Sequence, residues 1–443
     1  MFVMLNTLRK IIPRPLFQLY HYLLALAADF FYRQPSEKLI VIGVTGTSGK
    51  SSVVYLVTKI LEKAGFRVGA ASTILFKVDK NEWLNDRKMT MIGRFALQKL
   101  IKQAVKANCQ YAIIETTSQG IAQFRHLGIN YDILVFTNLY PEHLEAHGGF
   151  ENYKKAKLKL FAKLKTDPPK LIAGQRIKKT IIANLDDQQA SDFLDHWAEM
   201  KFGFTLTNNS TNIGRVVRAE KTKVSNGGIE FMVDRQLFSL RLLGRHNIYN
   251  TLAAVTVGLS QGLGLAGMAD GLNNVTGIPG RLEFIDEGQN FKVIVDYAFE
   301  PKAVEALYQL IKYLPHQKII HLLGSAGGGR DVSRRPKLGQ LACTNADIVI
   351  ATNEDPYDEK PEKIIDQVAV GAIRAKKIID QNLFKILDRR QAIKKALSLA
   401  GADDLILITG KGCEQAMAVA NNKKIPWDDR AVVREELKKI SNS

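Results

Sequence analysis

Residues 39–52 read LIVIGVTGTSGKSS. The first half is β-branched and apolar, the composition of a strand buried on both faces. Glycines and small hydroxyl residues then make a turn, and the stretch from Ser51 to Ala64 is helical in pattern. A strand, a Gly-rich turn and a helix in that order set backbone N–H groups around a phosphate, and glycine lets the backbone approach it closely. In such a turn Lys50 reaches the β- and γ-phosphates of a nucleotide and Ser51 ligates magnesium. The spacing is a variant of the common phosphate loop, because Val44 stands where its first glycine would be. A Gly-rich turn without a ligand is the bland alternative. The strand before and the helix after favour a nucleotide, held by Gly46, Thr47, Ser48, Gly49, Lys50, Ser51 and Ser52.

The same rhythm continues along the chain. YAIIE (111–115), DILVFTNL (132–139) and TIIANLD (180–186) read as buried strands, and so do KVIVDYA (292–298), KIIHLLGSAGG (318–328), DIVIATNEDP (347–356) and DLILITGKG (404–412). Strands alternating with helices predict an α/β fold of parallel sheets covered on both faces, with ligands beyond the carboxyl ends of the strands. A Gly- and Pro-rich turn, GIPGRLE (277–283), divides two sets of strands. The expected organisation is a helical N-terminal extension (1–37), a central nucleotide-binding domain (38–278) and a Rossmann-like C-terminal domain (279–443). Residues 205–240, polar and Thr-rich at first, are expected to form small antiparallel strands or a surface excursion.

With 62 Lys and Arg against 44 Asp and Glu, the chain carries a formal charge of +18. A solvated basic surface, an anionic substrate and an anionic membrane face all fit that excess; no nucleic-acid module accompanies it, so no nucleic-acid partner is expected. Cys109, Cys343 and Cys413 lie far apart and form no C-x-x-C pair, which argues against a zinc site or a disulfide framework and suits a cytoplasmic protein. PLFQLYHYLLALAADFFY (15–32) is apolar but is interrupted by Gln18, His21 and Asp29, and no small-residue cleavage site follows. With Arg9, Lys10 and Arg14 ahead of it, it reads as an amphipathic helix. Packing on the protein is the favoured expectation, with peripheral contact at the inner membrane face as the alternative.

Further segments in fixed order carry a family resemblance. They are ETTSQGIAQFR (115–125), TNLYPEHLEAHGGFENYKKAKLKLF (137–161), LLGRHNIYNTLAA (242–254), GIPGRLEFID (277–286), IVDYAFEP (294–301), GGGRDVSRRP (327–336), TNEDP (352–356) and GKGCE (410–414). Together with the variant loop they resemble the Mur ligases, and among these the branch that adds the third residue of the peptidoglycan stem peptide. The resemblance implies an ATP- and magnesium-dependent ligase that makes an acyl phosphate from a muramoyl-peptide carboxylate and then an amide with an amino acid. It implies Lys50, Glu115, His143 and Lys157 as the catalytic set. Ser51, Glu115, His143 and a carbamylated Lys157 would hold metal. Asn138, Asn247, Asn250, Arg281 and Asp296 would sit on the nucleotide, and Thr90, Thr117, Gln123 and Arg125 on the acceptor. Arg330, Glu354, Asp355, Gly410 and Glu414 would receive the amino acid. From the residues alone, Lys157 lies in a lysine-rich run that reads as a solvated helix face, and Asn247 reads as a helix cap.

The chain also departs from the family pattern. The phosphate loop starts so early that the usual uridine-binding domain has no room before it, which leaves a lipid-linked acceptor open. Tyr357 replaces the arginine of the D-N-P-R motif, so diaminopimelate is not implied, and lysine, ornithine or another amine is open. Phe299, Cys413 and Gln119 stand where histidines are usual; Cys413 reads as a buried structural thiol. Folylpolyglutamate- or cyanophycin-type ligases, a non-catalytic nucleotide-binding partner of another enzyme and a water-using ATPase are the rival readings.

Overall fold

The computed structural model describes residues 14–141, 147–207, 209, 213–329, 331–375, 377–421 and 423–441. His143 and Arg330 lie outside the described residues. The chain begins with helix α1 (Arg14–Tyr32) and enters a nine-stranded sheet at β1 (Ile40–Thr45). In chain order this sheet continues with β2 (Val68–Ala71), β3 (Leu75–Val78), β4 (Asn81–Leu84), β5 (Tyr111–Glu115) and β6 (Ile133–Phe136). A separate hairpin, β7 (Lys170–Ile172) and β8 (Gln175–Ile177), comes next. The sheet resumes with β9 (Thr180–Asn184), β10 (Met200–Thr205) and β11 (Arg215–Arg218). Its spatial order is β11-β10-β9-β6-β1-β5-β2-β3-β4, and all pairs are parallel except the edge pairs β2–β3 and β3–β4.

Because both faces are covered, the central strands are apolar throughout rather than alternating. One face packs on α2 (Lys50–Lys63), which buries Val53, Leu56, Val57 and Ile60. The opposite face packs on α3 (Arg94–Lys106), α4 (Ser118–Ala122), α5 (Phe150–Ala162) and α6 (Ala190–Leu194). Asp132, fully buried at the start of β6, accepts from the Val41 backbone N–H at 2.9 Å and pairs with Lys170 at 2.6 Å and Lys179 at 3.1 Å. One carboxylate thus joins β1, the hairpin and β9. The segment 205–240, expected to be antiparallel or irregular, instead starts by adding β11 in parallel to the main sheet. Only then does it form an antiparallel layer of β12 (Glu220–Ser225), β13 (Gly228–Val233) and β14 (Gln236–Leu240). Helices α7 (Arg245–Ser260) and α8 (Leu265–Asn273) follow and complete the α2 side of the core.

The second sheet begins at β15 (Glu283–Ile285) and continues with β16 (Lys292–Asp296), β17 (Ile319–Leu323), β18 (Ile348–Thr352), β19 (Leu383–Ile386) and β20 (Leu405–Thr409). Its order is β15-β16-β20-β17-β18-β19, parallel apart from the β15 edge. Helices α9 (Pro301–Ile311), α10 (Arg334–Asn345) and α11 (Pro361–Arg374) cover one face, and α12 (Arg389–Leu399) and α13 (Asp429–Ser441) the other. A small hairpin, β21 (Ala416–Val419) with β22 (Lys423–Pro426), leaves the carboxyl end of β20.

Candidate active site

The turn between β1 and α2 is fixed by residues from the end of β6. The Asn138 carbonyl accepts from the Thr47 N–H at 2.8 Å, and its side-chain oxygen accepts from the Ser48 N–H at 2.9 Å. Thr137 donates its hydroxyl to the Ser48 carbonyl at 2.7 Å. A Cβ on Gly46 would lie 1.9 Å from that hydroxyl, so glycine is required by contact alone. Gly49, at φ 79°, packs its Cα against Asn250. Helix α2 begins at Lys50, one residue before the sequence expectation; the Lys50 ammonium folds back onto the carbonyls of Gly46 at 3.1 Å and Thr47 at 2.8 Å.

Lys157 is not on a solvated face. It is buried on α5, donates to the Gly46 carbonyl at 2.6 Å and lies 4.7 Å from the Tyr153 ring centre. Tyr153 in turn shares a hydrogen bond with Thr47. The Ser51 hydroxyl donates to Glu115 Oε2 at 2.7 Å, and Thr73 donates to the same oxygen from its backbone at 2.8 Å and from its hydroxyl at 3.1 Å. The Thr73 and Thr90 hydroxyls share a hydrogen bond at 2.8 Å, which brings Thr90 to the edge of this cluster.

Asn247 and Asn250 are both buried in the first turns of α7. Gly244, not Asn247, caps the helix; Asn247 donates to the Leu243 carbonyl at 2.8 Å and accepts from Asn250 at 2.9 Å. Thr117 caps α4 by accepting from the Gly120 N–H at 3.1 Å. Gln123 accepts from Arg125 at 2.6 Å, and Arg125 also bonds the Met91 carbonyl. These acceptor candidates therefore cluster around the start and end of α4.

From the second sheet, Arg281 stacks on Tyr297 at 4.3 Å. The Asp296 carboxylate accepts from the Leu282 and Ala298 N–H groups at 2.7 Å each; desolvation raises its pKa, partly offset by Arg281. Glu354 is buried, and Gly410 leaves room for it: a Cβ there would sit 2.3 Å from Glu354 Oε2. That oxygen has no hydrogen-bond partner among the described residues. Burial, with the neighbouring Asp355 charge adding, pushes the Glu354 carboxyl up to about 7.

Two lysines that the sequence reading missed cross this region. Lys411 pairs with Asp355 at 3.1 Å and Glu414 at 2.8 Å. Lys88, from the loop before α3, reaches across from the first sheet's side to pair with Asp355 and with Glu414 at 3.0 Å. Burial alone would raise Asp355, but Lys411 and Lys88 outweigh it and hold its carboxyl below the usual range. Burial and the Lys411 charge lower Lys88. Two further links join the same surfaces: Lys424 donates to the Arg87 carbonyl at 2.5 Å, and the Cys413 thiol lies 3.8 Å from the Thr73 carbonyl. Cys413 is fully buried and its thiol is pushed up to about 11, so it stays protonated. Among the described residues no group of three or more His, Cys, Asp or Glu clusters as a metal site.

A phosphate-type loop on one sheet, with carboxylates at the carboxyl ends of a second sheet reaching Lys88 on the first sheet's side, suits a nucleotide-using ligase. The Mur ligase middle domain matches residues 44–258, and the Mur ligase glutamate ligase domain matches residues 280–412. The UDP-N-acetylmuramyl-tripeptide synthetase of Roseiflexus sp. (strain RS-1) is 35% identical over 94% of this chain and 82% of its own length. The UDP-N-acetylmuramoyl-L-alanyl-D-glutamate–2,6-diaminopimelate ligase of Geobacillus thermodenitrificans is 33% identical with the same coverage. A solved structure of a ligase with that second name superposes with a TM-score of 0.60 at 26% identity, over 92% of this chain and 80% of that one. The chain belongs to the Mur ligase family.

Proposed function

We propose that this chain is an ATP-dependent ligase that adds an amino acid to a UDP-N-acetylmuramoyl-dipeptide-like acceptor in peptidoglycan precursor synthesis. The observation that carries the reading is the meeting of Ser51, Glu115 and the Gly46–Lys50 turn at one place. The names of the relatives supply the substrate class. We take residues 38–278 as the domain that binds ATP and acceptor, and residues 279–443 as the domain that closes over them with the amino acid.

In the proposed reaction the acceptor carboxylate attacks the γ-phosphorus of ATP and ADP leaves, giving an acyl phosphate. The amine then attacks the carbonyl carbon; the tetrahedral intermediate expels inorganic phosphate and the nitrogen loses a proton. Lys50 turns from the turn's own carbonyls to the phosphates, offsetting the repulsion between two anions. The backbone N–H groups not already bonded to Asn138, those of Gly49 and of the α2 start, hold the phosphate oxygens. Closure of the second domain keeps water from the acyl phosphate.

The Ser51 hydroxyl and Glu115 carboxylate, 2.7 Å apart, are hard oxygen donors and fit magnesium. Bound there, the ion would neutralise charge on the transferring phosphoryl group. His143 and a carbamylated Lys157 are the further ligands the resemblance implies. Arg125, Gln123, Thr117 and Thr90 are proposed to hold the acceptor, a soluble or lipid-linked muramoyl peptide, and Glu354, Asp355, Gly410, Glu414 and Arg330 the amino acid. Asn138, Asn247, Asn250, Arg281 and Asp296 are proposed to flank the nucleotide.

Phosphate release from ATP and magnesium tests the reading, with UDP-N-acetylmuramoyl-L-alanyl-D-glutamate and a panel of amino acids, and the product identified by mass. Release that needs both acceptor and one amine supports it. Release with a pteroylglutamate acceptor instead would move the chain to the folylpolyglutamate-type reading, and release without any acceptor would make it a hydrolase.

A further inference from the structure

Helix α1 buries little of itself. His21, Ala25 and Ala28 face inward, and α3 lies beneath them. On the outward side Leu16, Leu19, Leu23, Leu26, Phe30 and Phe31 are exposed by 43% to 86%. Their spacing of three and four residues aligns most of them on one stripe. The stripe is widened by neighbours: Phe95 of α3 lies 6.1 Å from Phe31, and Phe124 lies 5.9 Å from Tyr22. A continuous apolar strip of this kind on a water-facing surface marks a contact site. No helix among the described residues is long and apolar enough to cross a membrane.

Charge says what covers the strip. Helices α1 and α3 contain one carboxylate between them, Asp29. It turns inward, against Gly128 and 3.5 Å from the Gln98 amide. Exposed on these elements are Arg33 and Lys38 after α1, and Lys99 and Lys106 on α3. Arg9 and Lys10 precede α1 in the sequence. Two copies meeting through this face would set these four exposed cations against each other, with Glu37, already bonded to the Asn130 amide, as the one carboxylate among them. An anionic lipid surface takes both parts: leucine and phenylalanine side chains enter the acyl boundary, and the lysines and arginines meet the headgroups.

We propose that α1, with the adjoining face of α3, docks the protein in the plane of an anionic membrane surface. This stands apart from the ligase reading and does not depend on it. The test is sedimentation of the full chain with vesicles of phosphatidylcholine alone and of phosphatidylcholine with phosphatidylglycerol at about 7:3. The wild type should sediment with the mixed vesicles, more weakly with the neutral ones, and less as salt rises. The triple variant Leu23→Ser, Phe30→Ser and Phe31→Ser should bind on the order of a hundredfold more weakly. Lys99→Glu with Lys106→Glu should lose about tenfold or more, on anionic vesicles only. Both variants change exposed residues, and an unaltered melting temperature confirms that they fold. Absence of wild-type binding to anionic vesicles, or binding that neither variant weakens, overturns the proposal. So does concentration-dependent self-association that the triple variant abolishes while vesicle binding is absent, because the face would then be an interface between copies.

Discussion

Helix α2 is bracketed by two glycines in left-handed backbone, Gly49 at φ 79° and Gly65 at φ 88°, and the pair allows the loop geometry to be tested with an internal control. An alanine in this region costs roughly 1–2 kcal/mol relative to glycine. At Gly65 that is all, since a Cβ there meets nothing within 4 Å. At Gly49 the Cβ would lie 2.3 Å from Asn250 Oδ1 and 3.3 Å from its Cγ. Asn250 must therefore shift and give up its 2.9 Å bond to Asn247. Losing that bond costs about 0.5–1.5 kcal/mol, and a buried amide left without a partner costs more, about 1–3 kcal/mol. Gly49→Ala is thus expected to destabilise by about 2–5 kcal/mol and Gly65→Ala by about 1–2 kcal/mol. At roughly 2–4 °C per kcal/mol the difference is visible in thermal melting. If Asn250 flanks the nucleotide, Gly49→Ala also raises the KM for ATP about tenfold or more, a change of 1.4 kcal/mol, while Gly65→Ala leaves it unchanged. Equal melting temperatures and an unaltered KM in Gly49→Ala would refute both the packing argument and the placement of the nucleotide.

Lys50→Ala should abolish phosphate release while the melting temperature stays near wild type; near-normal turnover would remove the phosphate-loop assignment. Asp132→Asn leaves Lys170 and Lys179 buried without their shared anion and should cost about 3–5 kcal/mol in denaturant unfolding. Glu354 is raised from 4.5 to about 7 in the folded chain, so the folded state holds that proton more tightly than the unfolded one. Stability should therefore fall by about 3 kcal/mol as pH rises from about 4.5 to 7, and Glu354→Gln should flatten that slope; parallel slopes would contradict it. Lys88→Met removes one of two cations from Asp355 and Glu414, and should lower the KM for a cationic amine about tenfold without changing that for ATP. An effect confined to ATP would take Lys88 out of the amine pocket.

The strands buried on both faces were legible because their apolar runs are short, rich in β-branched residues and bounded by polar turn residues. Strand β2 was not, since VGAA (68–71) is too small in side chain to stand out, and β11 follows a polar stretch that reads as a loop. In the site, Lys50 and Ser51 could be read because the turn that positions them is contiguous. Glu115 ends a legible strand, but its role came from the family resemblance. Lys157 does carry a signal: with Tyr153, Ala156 and Leu160 it falls on the buried side of α5, at a helical spacing that separates it from the exposed Lys155 and Lys159. Lys88 offered none, as its partner Asp355 is 267 residues away.

That distance bears on how the amine is chosen. Asp355 and Glu414 look, in sequence, like two carboxylates waiting for an ammonium group. In the folded chain Lys88 and Lys411 already satisfy them, and Tyr357 supplies no cation beside them. Among the described residues the buried carboxyl that retains an unpartnered oxygen is Glu354, which burial pushes up to about 7. Of the two lysines, Lys411 is fixed within the second domain by its bond to the Ala416 carbonyl at 2.6 Å, whereas Lys88 belongs to the first. Separation of the two domains would withdraw Lys88 and leave the pocket one charge more negative, open to a cationic amine. Closure would bring Lys88 back into competition with it. If Asp355 and Glu414 receive the amine as proposed, its selection is tied to domain closure, and no single motif encodes it.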